Sequence, residues 1–268
     1  MSNLADQEQP RHPALKEIFL LILVSFILSV ALTFFFSKTK SLQFILGELC
    51  LIMPTLVYLG VRKYDFVQVL RFGTVRTGTI AAACVLGLSV PVISDEIDRI
   101  VGLVVKTPPE VQALILETMR ARSALDWIGL ILGAVIFAGL VEEMLFRGLL
   151  QRALERRYAW PFAIFMSAVV FAVVHPIFWT VQVFLIGALL GFMAWRSQSI
   201  IPGIVFHCLN NLFSLLYLNF NLDQVGWYHW YGHVNPTVVA VAACIAFYAL
   251  KWFNQQTEPT EEEISRYL

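Results

Sequence analysis

Two adjacent glutamates and an arginine, Glu142, Glu143 and Arg147, stand inside a run that is otherwise apolar from Ile128 onward. Each ionised Glu or Arg at the centre of a membrane helix costs roughly 2.5–3.5 kcal/mol on insertion scales, so the three must face one another or a polar cavity. On a helix, Glu143 and Arg147 sit at i and i+4 with the acid first, the favourable order for an ion pair. Glu142 points about 100° away from Glu143. The spacing therefore predicts one structural carboxylate, held by Arg147, and one free to react. The competing reading is a buried ion-pair network that only fixes helix packing.

Three more polar groups lie within apolar helices: His175 in FAVVHP, and His207 with Asn211 in FHCLNN. His207 and Asn211 share a helix face at i and i+4, and Pro202 suits the first turn of that helix. A carboxylate with imidazoles can activate water as a general base, and an imidazole with an amide supplies donors to an oxyanion. Together these groups are the minimum set for hydrolysing a peptide bond. There is no G-x-S-x-G, so a serine nucleophile is unsupported. There is no H-E-x-x-H either, yet Glu142, His175 and His207 with a water are one conceivable metal set. The spacing leaves metal or no metal open. His12, His229 and His233 fall in the N-terminal tail and an aromatic loop and are left out of the site.

The elements that must position these groups are membrane helices. The chain has 268 residues, 58% hydrophobic and 14% charged, far from a soluble domain's balance. Net charge is zero, which gives no reason to expect a nucleic-acid partner. Apolar stretches near the ~20 residues needed to cross a bilayer occur at 16–37, 42–61, 78–98, 127–150, 160–175, 178–196, 200–218 and 236–254. The expectation is an all-α, polytopic membrane helix bundle of about eight transmembrane helices. The first is a retained anchor rather than a signal peptide. The fifth is the shortest, and two half-length segments meeting at Pro176 are the alternative. Residues 107–122 read as an interfacial amphipathic helix.

The chain forms one unit, 1–268, with a catalytic core at 125–218 and polar tails at 1–13 and 255–268. The four cysteines, Cys50, Cys84, Cys208 and Cys244, lie singly in apolar stretches and are expected to be small buried thiols. If the N-terminus is cytoplasmic, that side carries twice the Lys and Arg of the other, which favours both termini inside.

These residues resemble the CPBP intramembrane proteases, the family of type II CAAX prenyl endopeptidases and bacteriocin-processing or self-immunity proteins, also called the Abi family. Its three motifs read here as Glu142-Glu143-Met-Leu-Phe-Arg147, Phe171-Ala-Val-Val-His175 and His207-Cys-Leu-Asn-Asn211, intact and in order. The resemblance implies that Glu142 with His175 activates the attacking water. It also implies that His207 and Asn211 stabilise the oxyanion, and that Glu143 and Arg147 hold the first motif in place. The family is labelled a metalloprotease, while a metal-free glutamate mechanism is also argued for it, so zinc stays open. The implied substrate is a peptide or protein held at the membrane, with lipidation an open point. The expected location is the plasma membrane of a prokaryote. Two other readings compete: a non-catalytic binding or immunity protein of the same fold, and a proton-coupled transporter using the Glu and His groups as a relay.

Overall fold

The computed structural model describes residues 11–35 and 40–258. Most of both expected tails, with Lys38 and Arg266 of the charge comparison, lie outside the described residues. The described chain is helical almost throughout: α1 (Leu15–Phe35), α2 (Lys40–Val61), a short α3 (Phe66–Val69), α4 (Thr77–Gly102), α5 (Pro109–Met119) and a continuous α6 (Ala124–Glu155), then α7 (Trp160–Val173), α8 (Thr180–Ser197), α9 (Ile201–Phe220) and α10 (Pro236–Gln256). Two-residue strands, β1 (His229–Trp230) and β2 (His233–Val234), pair antiparallel in the loop before α10. Seven helices, α1, α2, α4, α6, α8, α9 and α10, are long and apolar enough to cross a membrane. The molecule is a polytopic helical bundle.

The expected fifth span differs from the structure in length. Helix α7 ends at Val173 after 14 residues, about 21 Å at 1.5 Å per residue, against a ~30 Å hydrocarbon core. Proline is the cause: Pro176 donates no hydrogen bond and disfavours helical backbone in the residue before it. The chain does not run on through this break but doubles back. Trp160 at the start of α7 stacks on Trp195 near the end of α8, at 4.1 Å between ring centroids, and Gly187 of α8 lies against Ala168 and Phe171 of α7. The two form an antiparallel hairpin turning at Pro176.

Helix α5 is the amphipathic segment, and none of its residues is buried. The cysteine expectation needs correction. Cys244 is exposed, and Cys50, Cys84 and Cys208 are only half-buried. The physical reason is that α10 is an outer helix whose apolar face meets lipid, so an apolar position there need not be an interior one.

Helix α6 is the axis of the bundle. At 32 residues it extends about 48 Å, and from Met144 to Gln151 every residue is buried, as expected of a helix enclosed by others. Its Leu145, Leu149 and Leu150 pack with Ile18 and Ile22 of α1 and Leu51, Ile52 and Leu59 of α2. Two stretches, Ile131–Phe137 and Met144–Gln151, are wound wide as π-helix. They flank the six residues Ala138–Glu143 that carry both glutamates. Such widened turns concentrate at functional sites because they re-aim side chains.

Helix α2 and the segment after it run alongside α6 in the same direction. Phe44 lies against Gly133 and Leu70 against Gly148, and Arg71 pairs with Glu155 at 2.9 Å. At Gly148 the fit allows no side chain, since a Cβ would stand 2.5 Å from the Leu70 carbonyl oxygen. Gly148→Ala is expected to cost roughly 1–3 kcal/mol through overpacking, read as a lower thermal midpoint in detergent. Gly102→Ala, where a Cβ meets nothing within 4 Å, is the control and should leave the midpoint unchanged or raised.

Candidate active site

The ion pair expected from the i, i+4 spacing is present and sealed. Arg147 Nη1 lies 2.9 Å from Glu143 Oε1, and neither side chain has any exposure. A charge pair this deep needs more than its own attraction to offset desolvation. Arg147 Nη2–H donates to the Gly187 carbonyl of α8 at 3.1 Å, and its guanidinium sits over the Phe171 ring of α7 at 4.2 Å, a favourable cation–π position. One turn further, Gln151 Nε2–H donates to the Gly191 carbonyl at 2.8 Å. The two bonds form a ladder between α6 and α8, four residues on in each helix.

Glu143 reaches across to α9, where Nδ1–H of His207 donates to its Oε1 at 3.2 Å. Gly203, one turn before His207, makes this approach feasible: a Cβ there would lie 2.9 Å from Glu143 Oε2. With Nδ1 directed at Glu143, the other ring nitrogen of His207 faces Glu142, Nε2 to Oε2 at 3.6 Å. His207 thus stands between the two glutamates.

Glu142 differs from its neighbour as the helical geometry predicts. It keeps 16% of its side chain exposed, so small molecules can reach it, and its Oε2 finds no hydrogen-bond donor among the described residues. His175 ends α7 half-buried, with its Nδ1–H donating to the Phe171 carbonyl at 2.7 Å. That leaves its Nε2 as the nitrogen with a lone pair. The Phe171 ring joins the histidines, 4.7 Å from the His175 ring and 6.0 Å from the His207 ring between centroids. Asn211 donates from Nδ2 to the Ala134 carbonyl of α6 at 3.0 Å, within the first widened stretch, and keeps its second Nδ2 hydrogen for another acceptor.

Of the residues the sequence singles out, Glu142, Glu143, Arg147 and His207 are drawn into one contact set, with Asn211 one turn beyond on α9. His175 joins through Phe171 and makes no ion pair or hydrogen bond with Glu142 among the described residues. Glu142, His175 and His207 do not fit a metal in this arrangement. No three His, Cys, Asp or Glu side chains among the described residues are placed to hold one.

Two polar residues escaped the sequence reading. Gln151 is fully buried, and its signal is its position four residues after Arg147. Glu48 is the lone acid of α2 and interacts electrostatically with Glu142; a single carboxylate within an apolar span was its signal.

Removing one partner of the sealed pair should be far worse than removing both. Arg147→Leu alone is expected to cost about 3–5 kcal/mol of stability, and Glu143→Leu added to it should recover a large part. Thermal midpoints of the two single variants and the double variant in detergent check this.

No curated protein and no solved structure matches the chain. A family model, type II CAAX prenyl endopeptidase Rce1-like, matches residues 124–213. The match begins at the first residue of α6 and ends within α9, and takes in all three motifs. Over this segment, a third of the chain, the protein is similar to the Rce1-like type II CAAX prenyl endopeptidases.

Proposed function

We propose that the protein is an intramembrane endopeptidase that hydrolyses a peptide bond of a membrane-associated or lipidated substrate, with Glu142 as the general base. The family implies CAAX-type protease activity in general. The observation that carries the reading for this chain is the contrast between the two glutamates: Glu143 is sealed and paired with Arg147, whereas Glu142 keeps part of its side chain exposed and has only the His207 ring beside it, at 3.6 Å. Pairs of titratable groups placed in such different surroundings mark acid and base assignments.

In this mechanism the Glu142 carboxylate takes a proton from water while the water oxygen bonds to the scissile carbonyl carbon. His175, whose Nε2 is free of backbone contacts, assists Glu142 in activating the water. The carbonyl electron pair moves onto oxygen, where the second Nδ2 hydrogen of Asn211 and, in the doubly protonated form of His207, its Nε2–H stabilise it. Glu142 then returns its proton to the amide nitrogen as the carbon–nitrogen bond breaks. Glu143, Arg147 and Gln151 take no part in proton transfer and hold α6, α8 and α9 in register.

Glu142→Gln, purified in detergent and offered a mixed library of lipidated and unlipidated peptides, should lose cleavage by at least about 10²-fold. Asn211→Ala should lower kcat by about 10²–10³-fold. Cleavage that survives Glu142→Gln unchanged removes this mechanism. Absence of cleavage by the wild type, with a cellular phenotype indifferent to Glu142→Gln, favours the binding or immunity reading.

For orientation, the structure gathers Arg71, Arg76, Arg152 and Arg196 with the C-terminal end of α10 at one end of the bundle. Arg99 and the β1–β2 loop lie at the other. The charge bias supports a cytoplasmic position for the arginine-rich end. A cysteine at Arg157 should be labelled by a membrane-impermeant maleimide only in opened cells, and one at Tyr231, which is 88% exposed, in intact cells. The reverse pattern inverts the topology.

A further inference from the structure

Glu48 is a third carboxylate of the site. It lies on the face of α2 that packs on α6: Phe44, one turn before it, meets Gly133, and Ile52, one turn after it, packs in the cluster that holds Val141 and Leu145. This register brings Glu48 level with the α6 segment carrying Glu142, and the two carboxyl groups interact electrostatically. Glu48 Oε2 and Glu142 Oε2 are both sealed from solvent, and neither finds a donor among the described residues. Neither Oε2 has a hydrogen-bond partner among the described residues, so the two carboxyl groups do not satisfy each other. A buried acceptor left unsatisfied is destabilising, and here there are two at neighbouring levels of α2 and α6.

One small molecule answers both, since a water carries two O–H donors and readily bridges buried polar groups. We propose that Glu48 and Glu142 together hold the attacking water, which makes Glu48 a further catalytic residue, a role that rests on the endopeptidase reading above. One O–H points to each carboxylate, and the oxygen lone pairs turn away from both, towards a bound peptide carbonyl. On attack, the proton on the Glu142 side passes to Glu142. The other O–H stays hydrogen-bonded to Glu48 on the new tetrahedral carbon's hydroxyl. The Glu142 proton goes to the departing amine when the carbon–nitrogen bond breaks, and Glu48 ends as it began.

The experiment compares wild type, Glu48→Leu and Glu48→Gln on a peptide that wild type cleaves and Glu142→Gln does not. Glu48→Leu is expected to lower kcat about 10²-fold with KM within about twofold, while its thermal midpoint holds or rises, because an apolar isostere replaces an unsatisfied acceptor. Glu48→Gln keeps an accepting oxygen and should stay within about fivefold of wild type. A Glu48→Leu variant with wild-type kcat overturns the proposal, as does a Glu48→Gln variant as poor as the leucine one. If wild type shows no cleavage dependent on Glu142, the endopeptidase reading fails first. The pairing is then decided by unfolding midpoints of Glu48→Leu, Glu142→Leu and the double variant. Non-additive shifts support a shared water between the two side chains, and additive shifts show that they do not meet.

Discussion

A charged pair with no access to solvent is the constraint on which the rest of this bundle depends. Glu143 and Arg147 are one helical turn apart on α6 and completely enclosed. Inside a membrane protein little water is at hand, so groups on neighbouring helices supply much of what surrounds the pair. Arg147 calls on the Gly187 carbonyl of α8 and the face of Phe171 on α7, and Glu143 on His207 of α9. Satisfying one ion pair therefore fixes where three other helices stand. Two of those helices carry the histidines, and α9 also carries Asn211.

The neighbouring glutamates illustrate how environment divides labour between identical groups. Glu143 has a permanent cation beside it and no exposure, conditions that keep it occupied. Glu142, one residue earlier, is rotated off that pair, touched by His207 only at 3.6 Å and open over 16% of its side chain. The same side-chain chemistry thus yields a strut and a base. The widened turns on either side of Ala138–Glu143 contribute by setting the azimuth of these residues relative to α2 and α9.

Close packing around α6 is achieved with small residues, as is common where helices meet in lipid without a hydrophobic driving force between them. Gly203 leaves space for the Glu143 carboxylate and Gly148 for the Leu70 backbone. Helix α9 is also pinned far from the site. Asn219 bonds to Met119 and Ala121 beyond α5, Tyr217 to Arg99 of α4, and Tyr228 in the following loop to Asp95. In that loop, outside the spans, burial and the nearby Asp95 carboxylate push the Tyr228 hydroxyl pKa up, so it remains a donor. A helix held at its far end and at Glu143 cannot rotate His207 away from the glutamates.

Local periodicity alone determined the helical class, the long apolar helices, the Glu143–Arg147 pair and the difference between Glu142 and Glu143, because each depends on spacing along one helix or on composition. The reversal at Pro176 was legible as the gap between two spans, with two half-length segments of one run as the alternative, and the packing of α8 on α7 decided between them. Tertiary structure also decided that His207, rather than His175, stands beside Glu142, that the face of α2 carrying Glu48 packs on α6, and that Cys244 faces outward. These are relations between helices distant in the chain. An apolar helix in a bilayer looks much the same in sequence whether its face meets lipid or protein, so hydropathy cannot say which faces meet. The crossing geometry of α2, α6, α7 and α9 settles them, and that geometry is set by how a few buried polar atoms are satisfied across helices.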